Sequence, residues 1–88
     1  MQFDGELRFS WYYYASRSRH PEVPEEWIAR VLAKPTRSEI QGINTVYWRH
    51  IKERGHWLKV VVEEGRVHNS YIDGRNYTRE WEIPDEDR

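Results

Sequence analysis

The chain has 88 residues, enough for one domain and too few for a second core. It contains no cysteine, which removes disulfide staples and thiolate metal sites and makes the reducing cytoplasm the simplest compartment. The formal net charge is −1. No run approaches the roughly 20 apolar residues of a membrane helix, and MQFDGELRF lacks an apolar signal core, so a soluble, non-secreted chain is expected.

A domain this small buries only about 60% of the surface its unfolded chain exposes, so its core must be dense in large side chains. Five Trp, six Tyr and two Phe supply that density. The charge is uneven: of 14 basic and 15 acidic side chains, one and five lie in residues 80–88, which leaves 13 against 10 in the body. Arginine outnumbers lysine 11 to 3, and its planar fork suits phosphate and carboxylate. This permits RNA or an acidic protein as partner without requiring either.

In chain order, Asp4-Gly5 reads as a turn and Glu6 to Phe9 as a short strand with Leu7 and Phe9 on one face. Ser10 can cap a helix over about 10–19, although the aromatic run Trp11 to Tyr14 could instead prolong the strand. A second helix is predicted over about 24–34. Pro24 suits its first position, Glu22, Glu25 and Glu26 lie near its positive end, and Trp27, Ile28, Val31 and Leu32 form one apolar stripe. Glu26 and Arg30 can pair at i, i+4, and Pro35 stops the helix. Strands follow over about 36–41, 45–51, 57–63 and 66–73, separated by turns at Gly42, Arg54-Gly55 and Glu64-Gly65. The fold class is α+β: a single domain over 1–83 in which an antiparallel meander packs on the second helix, followed by an acidic tail over 84–88 that is expected to fray.

Two-residue loops at the last two turns would fix the register. Val62 would then face Val67, Val61 His68, Val60 Asn69, Lys59 Ser70 and Leu58 Tyr71; on the other side Ile51 would face Leu58, His50 Lys59, Arg49 Val60 and Trp48 Val61. By alternation one face collects Tyr47, Ile51, Leu58, Val60, Val62, Val67 and Tyr71 as core. Arg49 and Asn69 also fall there, which is costly unless they sit at the rim or bond a helix C-terminus. The opposite face collects Trp48, His50, Lys52, Trp57, Lys59, Val61, His68, Ser70 and Ile72.

That second face carries the candidate chemistry. Metal-independent RNA cleavage needs a base for the 2′-hydroxyl, an acid for the leaving oxygen and cations for the phosphate. His50 and His68 can share the proton transfers while Lys59 stabilises charge, and Trp48 and Trp57 can stack an unpaired base. The competing reading is a solvent-facing sheet surface with mixed polar and aromatic residues and no catalytic role. The four histidines show no metal-ligand spacing, and there is no phosphate-cradling glycine loop or nucleophile elbow, so no metal and no cofactor are expected.

Arg19-His20-Pro21-Glu22-Val23, Glu25-Glu26-Trp27-Ile28, Val31-Leu32 and Pro35, then Tyr47-Trp48, Leu58-Lys59-Val60-Val61 and Val67-His68-Asn69 with Asp73 and Arg75, resemble a small bacterial family of uncharacterised proteins. That family is similar to the RelE and BrnT superfamily of ribonuclease toxins. The resemblance covers about residues 6–75. It implies a strand, two helices and an antiparallel sheet whose outer face binds RNA, and a toxin-like endoribonuclease silenced by a cognate antitoxin. Relatives carry a histidine in the first helix just after Phe-Ser; here Phe9-Ser10 is followed by Trp11 and three tyrosines. Arg17 matches the arginine expected one turn further on, and His20 is the alternative acid or base. The resulting candidate is an endoribonuclease using His50, Lys59 and His68, with Arg17, Lys52, Arg66, Trp48 and Trp57 on RNA. The alternative is a non-catalytic protein- or RNA-binding module using the same face.

Overall fold

The computed structural model describes residues 7–16, 23–73 and 80–88. Within them lie helices α1 (Trp11–Ser16) and α2 (Glu25–Ala33), strands β1 (Arg37–Gln41), β2 (Asn44–Ile51), β3 (His56–Glu63) and β4 (Arg66–Asp73), and a 3-10 turn at Asp85–Asp87. The four strands form one antiparallel sheet in the order β1-β2-β3-β4. This is the expected small α+β fold of two helices and a meander. No helix among the described residues is long and apolar enough to cross a bilayer.

The helical alternative holds for the aromatic run after Ser10. The Ser10 side chain accepts the Tyr13 N–H at 3.2 Å and caps α1. This turn buries Tyr13 against Phe9, with ring centroids 4.4 Å apart, and leaves Trp11 and Tyr14 exposed. Of the expected N-terminal strand, Glu6 lies outside the described residues, and among the described ones it forms a single parallel bridge between Phe9 and Val67. The expected continuation of the first helix over 17–19 lies outside the described residues, as do Asp4-Gly5 and Glu22.

Pro24 stands one position before α2, with extended backbone, and its carbonyl accepts the Trp27 N–H at 3.1 Å. Ile28, Val31 and Leu32 turn inward to meet Tyr47, Ile51, Leu58, Val60, Val62 and Val67, so the predicted stripe and sheet face close one core. Arg30 does not depend on Glu26 for a hydrogen-bonded partner. Its fork grips Glu53 of the β2–β3 turn through two bonds of 2.8 Å, because a fixed carboxylate across the gap suits a planar guanidinium better than a flexible neighbour on the same helix.

Two turns follow their chemistry. Glu64 and Gly65 both have positive φ, as a two-residue type I′ turn requires, and they set Glu63 opposite Arg66 and Val62 opposite Val67. Gly42 has φ of 64° at the first position of the β1–β2 turn, the sign a II′ turn demands.

The predicted register fails beyond these points, in two different ways. Between β2 and β3 the loop has four residues, Lys52 to Gly55, with the left-handed Gly55 at its end. Ile51 therefore faces His56, His50 faces Trp57, Arg49 faces Leu58 and Trp48 faces Lys59. The slip is by two, so every side chain keeps its face. Between β3 and β4 the slip is by one. After the Val62–Val67 pair, Val61 faces Asn69, leaving His68 as the extra residue of a β-bulge. The N-terminal segment holds Val67 from the other side: its N–H donates to the Arg8 carbonyl at 2.7 Å, and its carbonyl accepts the Ser10 N–H at 2.8 Å. Beyond the bulge β4 is inverted relative to expectation. Ser70 and Ile72 turn to the core side, while Asn69, Tyr71 and Asp73 join the second face. The displaced ladder is partly compensated by the Asn69 side chain, which accepts the Ser70 N–H at 2.9 Å.

Arg49 stays on the core side at its rim. It donates to the Arg30 and Lys34 carbonyls at the end of α2, at 3.3 and 3.5 Å, and pairs with Asp87 at 2.9 Å. The tail expected to fray is therefore folded back, and Asp87 is only 4% exposed. Burying this pair costs desolvation, and the helix carbonyls supply the extra hydrogen bonds that offset it.

Two measurements check this account. Ile28 is fully buried, so Ile28→Ala should lower unfolding free energy by about 2–5 kcal/mol in denaturant titration. The Arg30 fork holds the Glu53 carboxyl down to about 2 from 4.5. Because the unfolded state binds that proton more readily, the pair's contribution is present above about pH 4.5 and lost as pH falls toward 2. Acid titrations of wild type and Glu53→Gln should thus converge across that window; parallel curves would contradict the assignment.

Candidate functional site

The register of the sheet arranges the second face in three rows. His50, Trp57 and Asp73 lie side by side; Arg37, Trp48, Lys59 and Tyr71 form the next row; Glu39, Val46, Val61 and Asn69 form the third. The predicted rows of His50 with Lys59 and Ser70, and of Trp48 with Val61 and His68, do not form. His50 and Lys59 are instead diagonal neighbours, for which Cα atoms lie about 7–8 Å apart.

His68 does not join them. It stands five residues along β4 from Asp73, the β4 member of the His50 row. That is roughly 16 Å along the strand, with two inter-strand spacings of about 4.8 Å still to cross. No single phosphodiester could meet both imidazoles. His68 lies instead at the start of α1, its Nδ1 3.3 Å from Glu63 Oε2 and 3.5 Å from Ser10 Oγ.

The face is also not open. Trp81 sits on it with its ring edge-to-face against Trp48 at 5.4 Å and against Trp57 at 5.3 Å. Val46, Trp48 and Trp57 are buried there, with Val61, Trp81 and Ile83 partly covered, as a second apolar cluster. The Arg37 guanidinium caps the Trp81 ring from 4.2 Å. Neither Trp48 nor Trp57 therefore presents a free ring face for a base while residues 80–88 are in place. Sequence reasoning missed Trp81, Asp73 and Asp87. Trp81 was the one visible signal, an isolated indole within an otherwise polar, acidic stretch.

Each group in the first two rows has a defined environment. Trp48 Nε1–H donates to Asp73 Oδ2 at 3.1 Å, a buried bond that only the inverted β4 makes possible. His50 is 8% exposed, and its Nδ1 lies 3.0 Å from the Asp87 carbonyl. A carbonyl can only accept, so Nδ1 carries a proton, and in the neutral imidazole the Nε2 lone pair is the basic nitrogen. Lys59 is 7% exposed, and its ammonium lies 5.6 Å from the Trp48 ring and 5.2 Å from the Tyr71 ring. It has neither hydrogen-bond acceptor nor carboxylate partner among the described residues. Asn44 Oδ1 is the buried side-chain polar atom left unpartnered among those residues, so the Lys59 tip keeps contact with solvent past the two rings.

Lys52 is exposed in the β2–β3 loop and Arg66 is exposed beside the I′ turn, at opposite ends of β3. Arg17 and His20 lie outside the described residues. Among the described residues no three His, Asp or Glu side chains gather as a metal ion would require. A shallow hollow of about 360 Å³, lined by Arg37, Ser38, Glu39, Trp48 and Trp81, borders the indole cluster on the β1 side.

Comparison with protein-family models, curated proteins and solved structures finds no match to this chain.

The His50 tautomer is directly measurable. Long-range proton–nitrogen NMR correlations should show Nδ1 protonated and Nε2 unprotonated in neutral His50, and the reverse pattern would remove the Asp87 bond from the site.

Proposed function

We propose that the chain is a RelE/BrnT-like, toxin-type protein that binds single-stranded RNA on the second face of its sheet and cleaves it with His50 and Lys59. The observation that carries this reading is Lys59: a cation bracketed by two aromatic rings, lacking a carboxylate partner among the described residues, beside an imidazole whose basic nitrogen is set by a backbone carbonyl. A phosphate is the complement that such an ammonium lacks, and aromatic neighbours favour unstacked bases over duplex. In this mechanism His50 Nε2 takes the 2′-hydroxyl proton as that oxygen attacks phosphorus. Lys59 stabilises the charge that develops on the phosphoryl oxygens, and the resulting imidazolium can return a proton to the leaving 5′-oxygen.

His68 has no place in this mechanism. The reading is therefore tested by three variants assayed on single-stranded RNA at high protein concentration. His50→Ala and Lys59→Gln should each lose cleavage by on the order of 10²-fold or more, whereas His68→Ala should retain it. RNA left intact both by the wild type and by a Trp81→Ala chain, in which the covering indole is removed, or equal loss in all three variants, would sink the assignment. Binding should weaken steeply with salt.

A second reading rests on a separate observation. All of β1 is exposed, it ends the sheet among the described residues, and Ile40 and Ile43 are 78% and 79% exposed around the turn that follows. A bare edge strand with apolar side chains suits pairing with a protein segment such as an antitoxin's. Ile40→Asp together with Ile43→Asp should abolish capture of a protein encoded beside this chain while leaving RNA cleavage by the free chain unchanged.

A further inference from the structure

Residues 80–88 cover the face to which the RNA reading assigns function, and their chemistry matches what that face would bind. The segment carries five carboxylates, Glu80, Glu82, Asp85, Glu86 and Asp87, and one indole, Trp81. The covered face carries Arg37, His50 and Lys59, and the adjoining core-side rim carries Lys34 and Arg49. Contacts pair the two sets: Arg37 on the Trp81 ring at 4.2 Å, Lys34 with Glu86 at 3.0 Å, Arg49 with Asp87 at 2.9 Å, and His50 with the Asp87 carbonyl at 3.0 Å. An anionic chain bearing a planar ring that packs against Trp48 and Trp57 has the recognition chemistry of a nucleotide strand. We propose that residues 80–88 are an autoinhibitory strap that occupies the RNA-binding face and must be displaced for single-stranded RNA to bind. This rests on the RNA reading above.

The anchoring is suited to release. β1 begins at its pairing with Trp48, so the β2 edge from Arg49 onward is left to the strap, which reaches both faces there: Asp87 meets Arg49 on the core side and His50 on the other. One outer contact, Lys34–Glu86, is about half exposed and is readily screened. A hollow lined by Arg37, Ser38, Glu39, Trp48 and Trp81 borders the indole. Lys59 is tied to no strap carboxylate, so an incoming phosphate has a cation ready before the strap has fully left.

The experiment measures anisotropy of a fluorescein-labelled oligouridine against the full 88-residue chain. Trp81→Ala alters no charge, so a change in affinity cannot be ascribed to net electrostatics. It should bind about tenfold tighter or more, the scale set by losing two aromatic contacts. A folded Trp81→Ala chain whose affinity equals or falls below a measurable wild-type affinity overturns the strap and leaves the RNA reading standing. If neither chain binds RNA, both fall together. Should Trp81→Ala fail to fold by circular dichroism, Ile83→Ala, a smaller charge-neutral deletion in the same cluster, decides by the same criteria.

Discussion

One extra residue, His68, determines what the second face of this protein is made of. A single-residue bulge reverses the side-chain order of everything beyond it. It lies beside a residue held from both sides, Val67. The I′ turn places Val67 opposite Val62, while the backbone of residues 8 and 10 takes both of its main-chain hydrogen bonds on the far side. With the reversal, Tyr71 packs near the Lys59 ammonium and Asp73 receives the Trp48 indole N–H. Without it, both would lie on the core side, and Ser70 and Ile72 would replace them on the second face. The aromatic bracket around Lys59 is a consequence of backbone geometry as much as of the residues at 48 and 71.

Asp87 has a comparable role at the other edge. Its carboxylate satisfies Arg49, which would otherwise be a cation at the rim of an apolar core, and its carbonyl sets the tautomer of His50. One residue thus links the helix-side core to the proposed chemical face. Removing its carboxylate would leave a largely buried guanidinium with only the helix-end carbonyls, an arrangement costlier than the intact pair. Stability of the C-terminal segment and the protonation pattern of the site are therefore coupled through the same few atoms.

Much of the architecture was legible because it rests on local rules. The stripe of Ile28, Val31 and Leu32, the alternation through β2 and β3, and Glu64-Gly65 between two apolar runs each specify their element without outside help. For Arg49 the sequence left two options, a rim position or a helix C-terminus, and the structure uses both. The bulge left no mark, for no glycine stands at 68 and the hydrogen bonds that hold Val67 come from residues nearly sixty positions away. The β2–β3 loop was misread because Gly55 was placed in the middle of a two-residue turn when it closes a four-residue one. The C-terminal segment looked like a tail because acidic residues outnumber apolar ones there. Its docking depends on Trp81, whose two indole partners come from different strands and become neighbours only once the sheet has formed.

The packing of Trp81 has a consequence of another kind. Its ring centroid lies within 5.4 Å of both the Trp48 and Trp57 centroids, edge to face, which is near enough for the transition dipoles of the rings to couple. Coupled indoles give a circular-dichroism couplet whose amplitude changes when the third ring departs. The protein therefore contains its own optical gauge of whether residues 80–88 are seated, readable without dye, label or substitution.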